Sequence, residues 1–199
     1  KIISLPMVDA DLIRSKKFKV VVDAVNSTGG IAVPNLLDKL GVEVVKLYCE
    51  PNGEFPHNPE PLKENLTDLS NLVIKEEADF GIVVDPDVDR LAFVSENGEV
   101  FGEEYTLVAC ADYFLRNKRG VTVSNLSSSR ALKDITESYG CKYFSSAVGE
   151  VNVVEKMKEK KAVIGGEGNG GIILPDLHYG RDALVGIALF LSYLAKLDI

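Results

Sequence analysis

Short apolar runs alternate with amphipathic stretches along the chain. The runs at residues 18–26 and 42–50 are rich in β-branched residues and end at polar ones, which is typical of buried strands. Between them lies a helical pattern that opens at STGG and ends at Gly41. Residues 64–78 again have apolar positions at i, i+3 and i+4 spacing. The first part of the chain therefore begins β-α-β-α.

Two further strands complete this first unit. The stretch DFGIVVD, residues 79–85, is apolar throughout its middle, which suits a parallel strand covered on both faces. The following residues, 90–101, predict a hairpin with Asn97 and Gly98 in its tight turn. The order of elements is then β-α-β-α-β-β, which predicts a layered α/β unit of about 100 residues.

The second part of the chain repeats this scheme. A helix at 104–117 is followed by strand, helix, strand, helix and two strands, and an apolar helix at 182–197 closes the chain. We therefore predict an α/β fold of two similar three-layer α/β/α domains, each with a mixed, mostly parallel sheet. The predicted domains are residues 1–102 and 103–199.

Composition narrows the classes of protein. The 199 residues are 46% apolar, and the net charge of −8 argues against nucleic-acid or anionic-membrane partners. There is no apolar run as long as a membrane span and no signal-peptide pattern at the start. The cysteines Cys49, Cys110 and Cys141 lack the spacing of a disulfide or zinc framework. We expect a cytoplasmic protein with no nucleic-acid and no membrane partner.

An aspartate-rich segment, DPDVDR, follows the apolar run that ends at residue 84. Asp85, Asp87 and Asp89 occupy alternate positions, and Arg90 comes next. Carboxylates at this spacing can direct oxygens at one hard cation, Mg²⁺, Mn²⁺ or Ca²⁺ rather than Zn²⁺. The alternative is a solvated acidic turn. An EF-hand is disfavoured because Arg90 stands where that loop needs Gly.

A glycine-rich segment, GGEGNGG at 165–171, presents Glu167 and Asn169 as its polar side chains. A carboxylate and an amide are suitable partners for neighbouring sugar hydroxyls. The alternative is a plain glycine-rich turn between two strands.

Two other polar stretches allow ordinary structural interpretations. Asp182 can serve the dipole of the closing helix, with Arg181 as its ion-pair partner. Residues 51–61 read as an irregular surface loop with His57 exposed.

Taken in order, DAVNSTGG, PNGEFPHNPEP, DPDVDR and GGEGNGG with GRDAL resemble the middle of an α-D-phosphohexomutase. That family comprises phosphoglucomutases, phosphomannomutases and phosphoglucosamine mutases, with four α/β domains around a cleft. The chain resembles the second and third domains over nearly its whole length. The resemblance implies that the first and fourth domains are missing partners, cut from the same longer chain.

The resemblance also implies a chemistry. Family members interconvert hexose 1- and 6-phosphates through a phosphoserine on the first domain and a bisphosphorylated intermediate. It implies Mg²⁺ at Asp85, Asp87 and Asp89, Arg90 as the catalytic partner of the phosphoryl oxygens, and sugar contacts at Glu167 and Asn169. The substrate would be a hexose phosphate of mannose or glucose, with glucosamine as the rival. No segment resembles the catalytic serine loop, so the isolated chain is expected to be inactive.

The sequence departs from the family pattern in the aspartate-rich and the glycine-rich segment. Pro86 replaces a usual Gly, and the common motif GEESGH is here GEGNGG, with Asn169 for Ser and Gly171 for His. Two other functions remain open. One is a non-catalytic module that binds divalent ions or sugar phosphates. The other is a phosphatase with Asp85 as nucleophile, which Asp89 disfavours because such enzymes carry Thr or Val there.

Overall fold

The computed structural model describes residues 1–197, and residues 198–199 of the predicted second domain lie outside the described part. It contains two four-stranded sheets with helices on both sides. The strands are β1 Lys19–Asp23, β2 Glu43–Leu47, β3 Phe80–Val84, β4 Leu91–Ser95, β5 Thr122–Asn125, β6 Tyr143–Ser146, β7 Ile164–Glu167 and β8 Gly171–Ile173. The helices are α1 Ala10–Lys16, α2 Gly29–Lys39, α3 Thr67–Lys75, α4 Glu103–Asn117, α5 Ala131–Ser138, α6 Glu150–Lys160 and α7 Ala183–Leu197.

The two sheets share one strand order. The first runs β2-β1-β3-β4 and the second β6-β5-β7-β8. In each, the first three strands are parallel and the last pairs antiparallel with its neighbour. The prediction of two similar α/β units with mixed, mostly parallel sheets is confirmed.

Alternation along the strands divides the core into layers. Val20 and Val22 of β1 belong to a large cluster that also contains residues of α2, α4, α5 and α7. Val21, between them, belongs to a separate cluster with α3 on the opposite face of the sheet. A third cluster packs α6 on the far face of the second sheet. Successive side chains of a strand point to opposite faces, so helices on both sides explain the apolar middle of β1 and the fully apolar β3.

The closing helix joins the two halves. Phe190 of α7 stacks on Phe93 of β4, with ring centroids 3.9 Å apart, and meets Phe80 of β3 edge-on at 5.8 Å. Burying an aromatic side chain of this size contributes roughly 2–3 kcal/mol. A helix from the second half is thus part of the core beneath the first sheet.

Two local features differ from the sequence pattern. Helix α1 was not predicted, because its seven residues contain one buried position, Ile13, and its clearest signal is the capping carboxylate of Asp9. The turn at residues 96–99 is present, but its return arm pairs with β4 at a single bridge between Val94 and Val100. The chain enters α4 at Glu103, which leaves no length for a further strand.

Within residues 1–197, no helix is long and apolar enough to cross a membrane. The most apolar helix, α7, has 15 residues. The three cysteines are free thiols.

Candidate metal and sugar-phosphate site

The aspartate loop is organised by Asp85, which is buried at the end of β3. Its Oδ1 accepts hydrogen bonds from the backbone N–H groups of Asp89 and Arg90, both at 3.0 Å. Its carbonyl accepts a third from the N–H of Val88 at 3.1 Å, and Val88 has a φ of 62°. These bonds curl the loop so that its side chains gather on one side of the strand end.

Asp85, Asp87 and Asp89 each offer one oxygen, and these three oxygens lie within 4.8 Å of one another. Burial raises the pKa of Asp85 to about 7; the N–H of Arg90 opposes this rise, and the neighbouring aspartates add to it. The Oδ1 atom of Asp89 is buried and has no hydrogen-bond partner among the described residues. An oxygen-only donor set with an unsatisfied carboxylate oxygen fits a hard divalent cation such as Mg²⁺ or Mn²⁺.

Arg90 lies beside these carboxylates. Its Nε is 3.5 Å from Oδ2 of Asp85 and 3.9 Å from Oδ1 of Asp89, and it makes no hydrogen bond within the described residues. Its Nη1 donates to the Glu60 carboxylate at 3.2 Å. Arg90 therefore connects the aspartate loop to the loop at residues 51–61 while one buried donor stays unused.

The loop at 51–61 is held to the sheet by a buried pair. Nε2 of His57 lies 2.9 Å from Oδ2 of Asp23, and its side chain is 15% exposed. The expectation of an exposed His57 is therefore wrong. The bond to Asp23 raises the pKa of His57 above its ordinary value, although burial opposes this. Asp23 is the last residue of β1, and the sequence pattern did not identify it as a partner of His57.

The glycine loop connects β7 to β8 and is arranged around Glu167. This buried carboxylate accepts at Oε1 from Nδ2 of Asn125, at 2.8 Å, and from the N–H of Gly149, at 3.3 Å. Its Oε2 accepts from Nη1 of Arg181 at 2.8 Å. Asn169 is half-buried, and its Oδ1 accepts the N–H of Gly171 at 3.2 Å. Sugar contacts at Glu167 and Asn169 stay a prediction, and at Glu167 they would share oxygens that are already hydrogen-bonded.

The two loops touch through their backbones. The N–H of Leu91 donates to the carbonyl of Gly170 at 3.1 Å, and Arg90 forms an antiparallel bridge with Gly171. Gly170 has a φ of +90°, and a Cβ there would lie 2.3 Å from the Leu91 carbonyl oxygen. Glycine at this position thus allows the glycine loop of one half to meet the aspartate loop of the other.

Arg181 is the site residue that sequence reasoning missed. The predicted pair with Asp182 is wrong: the Arg181 guanidinium binds Asp89 of the aspartate loop and Glu167 of the glycine loop. Asp182 instead accepts the N–H of Val185 at 3.1 Å, which confirms its role at the start of α7, and pairs with His178. No local spacing signals these contacts, since Asp89 and Arg181 are 92 positions apart.

Protein-family models match the two halves of the chain separately. The family model for the phosphoglucomutase/phosphomannomutase α/β/α domain II matches residues 2–98, and that for domain III matches residues 102–198. The fold and its paired loops thus define a pair of phosphohexomutase-type α/β/α domains. The chain belongs to the phosphoglucomutase/phosphomannomutase family.

Individual relatives agree with this assignment. A phosphoglucomutase/phosphomannomutase of Thermococcus kodakarensis is 39% identical over 95% of this chain and 42% of its own length. A Methanopyrus kandleri protein named "Probable phosphoglucosamine mutase" is 34% identical over 89% of the chain and 40% of its length. A crystal structure of a phosphoglucomutase/phosphomannomutase family protein from Burkholderia thailandensis superposes with a TM-score of 0.83 at 30% identity, over 94% of this chain and 43% of that one. The chain spans less than half the length of these proteins.

Proposed function

We propose that these residues form the cation-binding and sugar-binding centre of a phosphohexomutase that interconverts hexose 1-phosphate and hexose 6-phosphate. The observation that carries this proposal is the meeting of three clustered carboxylates with a glycine loop bearing Glu167 and Asn169. The names of the relatives support mannose or glucose as the hexose, with glucosamine as the alternative.

Asp85, Asp87 and Asp89 would hold Mg²⁺. The buried Oδ1 of Asp89, which has no hydrogen-bond partner among the described residues, supports this assignment. Mg²⁺ at this position would supply positive charge that offsets the negative charge of a transferring phosphoryl group. The clustered carboxylates otherwise repel one another and any phosphate that approaches.

Arg90 is proposed as the catalytic cation. Its unused Nε can donate to phosphoryl oxygens, while Glu60 keeps the other end of the guanidinium in place. Glu167 and Asn169 orient the sugar by hydrogen bonds to its hydroxyls. The phosphoserine and the remaining phosphate contacts would come from first and fourth domains outside these 199 residues, and we propose that catalysis needs them.

Titration of Mg²⁺ into the chain by calorimetry tests the proposal, with Asp87→Asn as the main variant. Asp87 is exposed, so the substitution should leave the fold intact. We expect it to weaken Mg²⁺ binding by about tenfold or more, because one of three anionic ligands is lost. The control is Asp11→Asn, whose carboxylate is 97% exposed on α1.

The proposal is contradicted if the wild-type chain binds no Mg²⁺, or if Asp87→Asn and Asp11→Asn bind it equally well. The same preparation, free of host mutase, should convert no hexose 1-phosphate. Measurable turnover would contradict the requirement for the two further domains.

A further inference from the structure

Arg181 occupies the boundary between the two loops. Its guanidinium pairs with Oδ2 of Asp89, and its Nη1 lies 2.8 Å from Oε2 of Glu167. The side chain is 14% exposed, so these pairs are largely shielded from water. The planar guanidinium of Arg181 therefore binds one carboxylate of the aspartate loop and the carboxylate of Glu167 in the glycine loop.

The position of Arg181 is fixed by several contacts besides these pairs. Its backbone N–H donates to Oε1 of Glu150 at 3.0 Å, its Nε lies 3.5 Å from Oε2 of Glu150, and its backbone bridges to Ile173. Its stem passes over Gly171, where an added Cβ would lie 2.4 Å from Cδ of Arg181. The common family motif has His at this position. The absence of a side chain at Gly171 is thus what makes room for Arg181.

The carboxylates of Asp89 and Glu167 differ in how many of their oxygens are hydrogen-bonded. Asp89 has its Oδ2 on Arg181, while its buried Oδ1 has no hydrogen-bond partner in the described part of the chain. Glu167 has hydrogen bonds at both oxygens, and Arg181 provides the one at Oε2. A cation on Asp89 would reduce the attraction between Asp89 and Arg181. The guanidinium would then have positive charge available for an anionic ligand at the glycine loop.

We propose that Arg181 is a positioning residue that couples the aspartate loop to the glycine loop, so that a divalent cation and a hexose phosphate bind more tightly together than apart. This inference rests on the proposed function. Coupling between two ligands is reciprocal, so the phosphate strengthens cation binding by the same factor.

The test measures Mg²⁺ affinity by calorimetry with and without saturating glucose 1-phosphate, in wild type, Arg181→Gln and Arg181→Lys. We expect the wild-type chain to bind Mg²⁺ at least about fivefold more tightly with the sugar phosphate present, the usual lower range of such coupling. Arg181→Gln should lose most of this factor. Arg181→Lys keeps the charge but lacks the planar fork, so its coupling should fall below that of wild type by about threefold or more.

Arg116→Gln serves as a matched control. It breaks an ion pair with Asp112 at 2.9 Å on α4, outside the site, and should leave the coupling unchanged. Equal coupling in wild type and Arg181→Gln would overturn the inference, because a direct attraction between cation and phosphate would then suffice. Full coupling in Arg181→Lys would also overturn it, since charge without the bridge would be enough. In both cases Mg²⁺ binding itself would survive, and the proposed function would stand.

Hydrogen exchange in the ligand-free chain provides a second readout. The N–H groups of Asp89 and Arg90 are held by Asp85, and that of Gly149 by Glu167. Arg181→Gln should accelerate exchange in both loops at once, and Arg116→Gln in neither. Unchanged exchange would contradict the positioning role. A wild-type chain that binds no Mg²⁺ would contradict the proposed function and the ligand coupling together, while exchange would still report on the link between the loops.

Discussion

The two halves of the molecule use one topology for two kinds of loop. In each sheet the third strand turns back into an antiparallel edge strand, and the site is built from these two connections. In the first half the connection is residues 85–90, with four charged side chains in six residues. In the second half it is residues 168–170, which have no charged side chain; Glu167, the charge of the glycine loop, is the last residue of β7. The repeated fold therefore places the loops, and the residues within each loop determine what it can bind.

The central parallel strands of the two sheets, β1 and β5, also end in different residues. Asp23 ends β1 and pairs with His57, whereas Asn125 ends β5 and donates to Glu167. A buried carboxylate thus lies on the strand end itself in the first half and on the neighbouring β7 in the second. A donor faces the carboxylate in both cases, which is what a buried carboxylate requires.

The largest loss of stability is expected when the residue that ends β5 is replaced by the residue type that ends β1. Asn125→Asp removes the donor 2.8 Å from Oε1 of Glu167 and replaces it with a like charge in a buried site. We expect the free energy of unfolding to fall by about 3 kcal/mol at neutral pH, which is about 6–12 °C in Tm for a chain of this size. Thermal unfolding followed by circular dichroism measures the loss. Lowering the pH should reduce it, because the two carboxylates can then share a proton.

Asn65→Asp is the matched control for this substitution. Nδ2 of Asn65 also donates at 2.8 Å, but to the backbone carbonyl of Glu60. The loss there should be about 1 kcal/mol, the ordinary cost of one hydrogen bond. Equal losses in the two variants would show that repulsion from Glu167 is not the cause.

Gly170→Ala should break the contact between the two loops with a smaller effect. The added Cβ would lie 2.3 Å from the Leu91 carbonyl oxygen, and the residue has a φ of +90°. We expect a loss of about 2–3 kcal/mol in the free energy of unfolding, measured by urea titration. Gly53 has a φ of +77° with nothing within 4 Å of an added Cβ, so Gly53→Ala isolates the backbone strain at about 1 kcal/mol. A loss at Gly53 as large as that at Gly170 would remove the close approach as the explanation.

The sequence predicts most of the fold because the signals involved are local. Apolar periodicity defined β3 and α3, and the aspartate and glycine loops were visible as composition at strand ends. The contacts that assemble the site depend on pairing between distant segments. Arg181 meets Asp89 across 92 positions, and His57 meets Asp23 across 34. Such partners follow from strand order and loop path, which no spacing rule over a few residues contains.

The same limit applies to the way the halves join. Helix α7 was predicted from its apolar composition, and its residues Ala183–Leu197 are largely buried. The sheet against which α7 packs was not predictable, because the apolar surface of a helix can pack equally well on either sheet. Phe190 packs on Phe93 and Phe80 of the first half because α7 contacts strands of both sheets, β4 and β8.

The smallest effect should come from the pair that fixes the loop at 51–61, and it should depend on pH. Asp23 raises the pKa of His57 in the folded state above its unfolded value. The pair therefore stabilises the fold fully below about pH 6.5, and this contribution is lost as the pH rises through the folded-state pKa. His57→Gln should lower the free energy of unfolding by about 1 kcal/mol at about pH 5.5 and by less at about pH 9, in urea titrations at both values. His178→Gln, at a ring that is 46% exposed, should cost less than His57→Gln at the lower pH. A His57→Gln loss that grows with pH would mean that the histidine acts as a neutral packing group and not as the charged partner of Asp23.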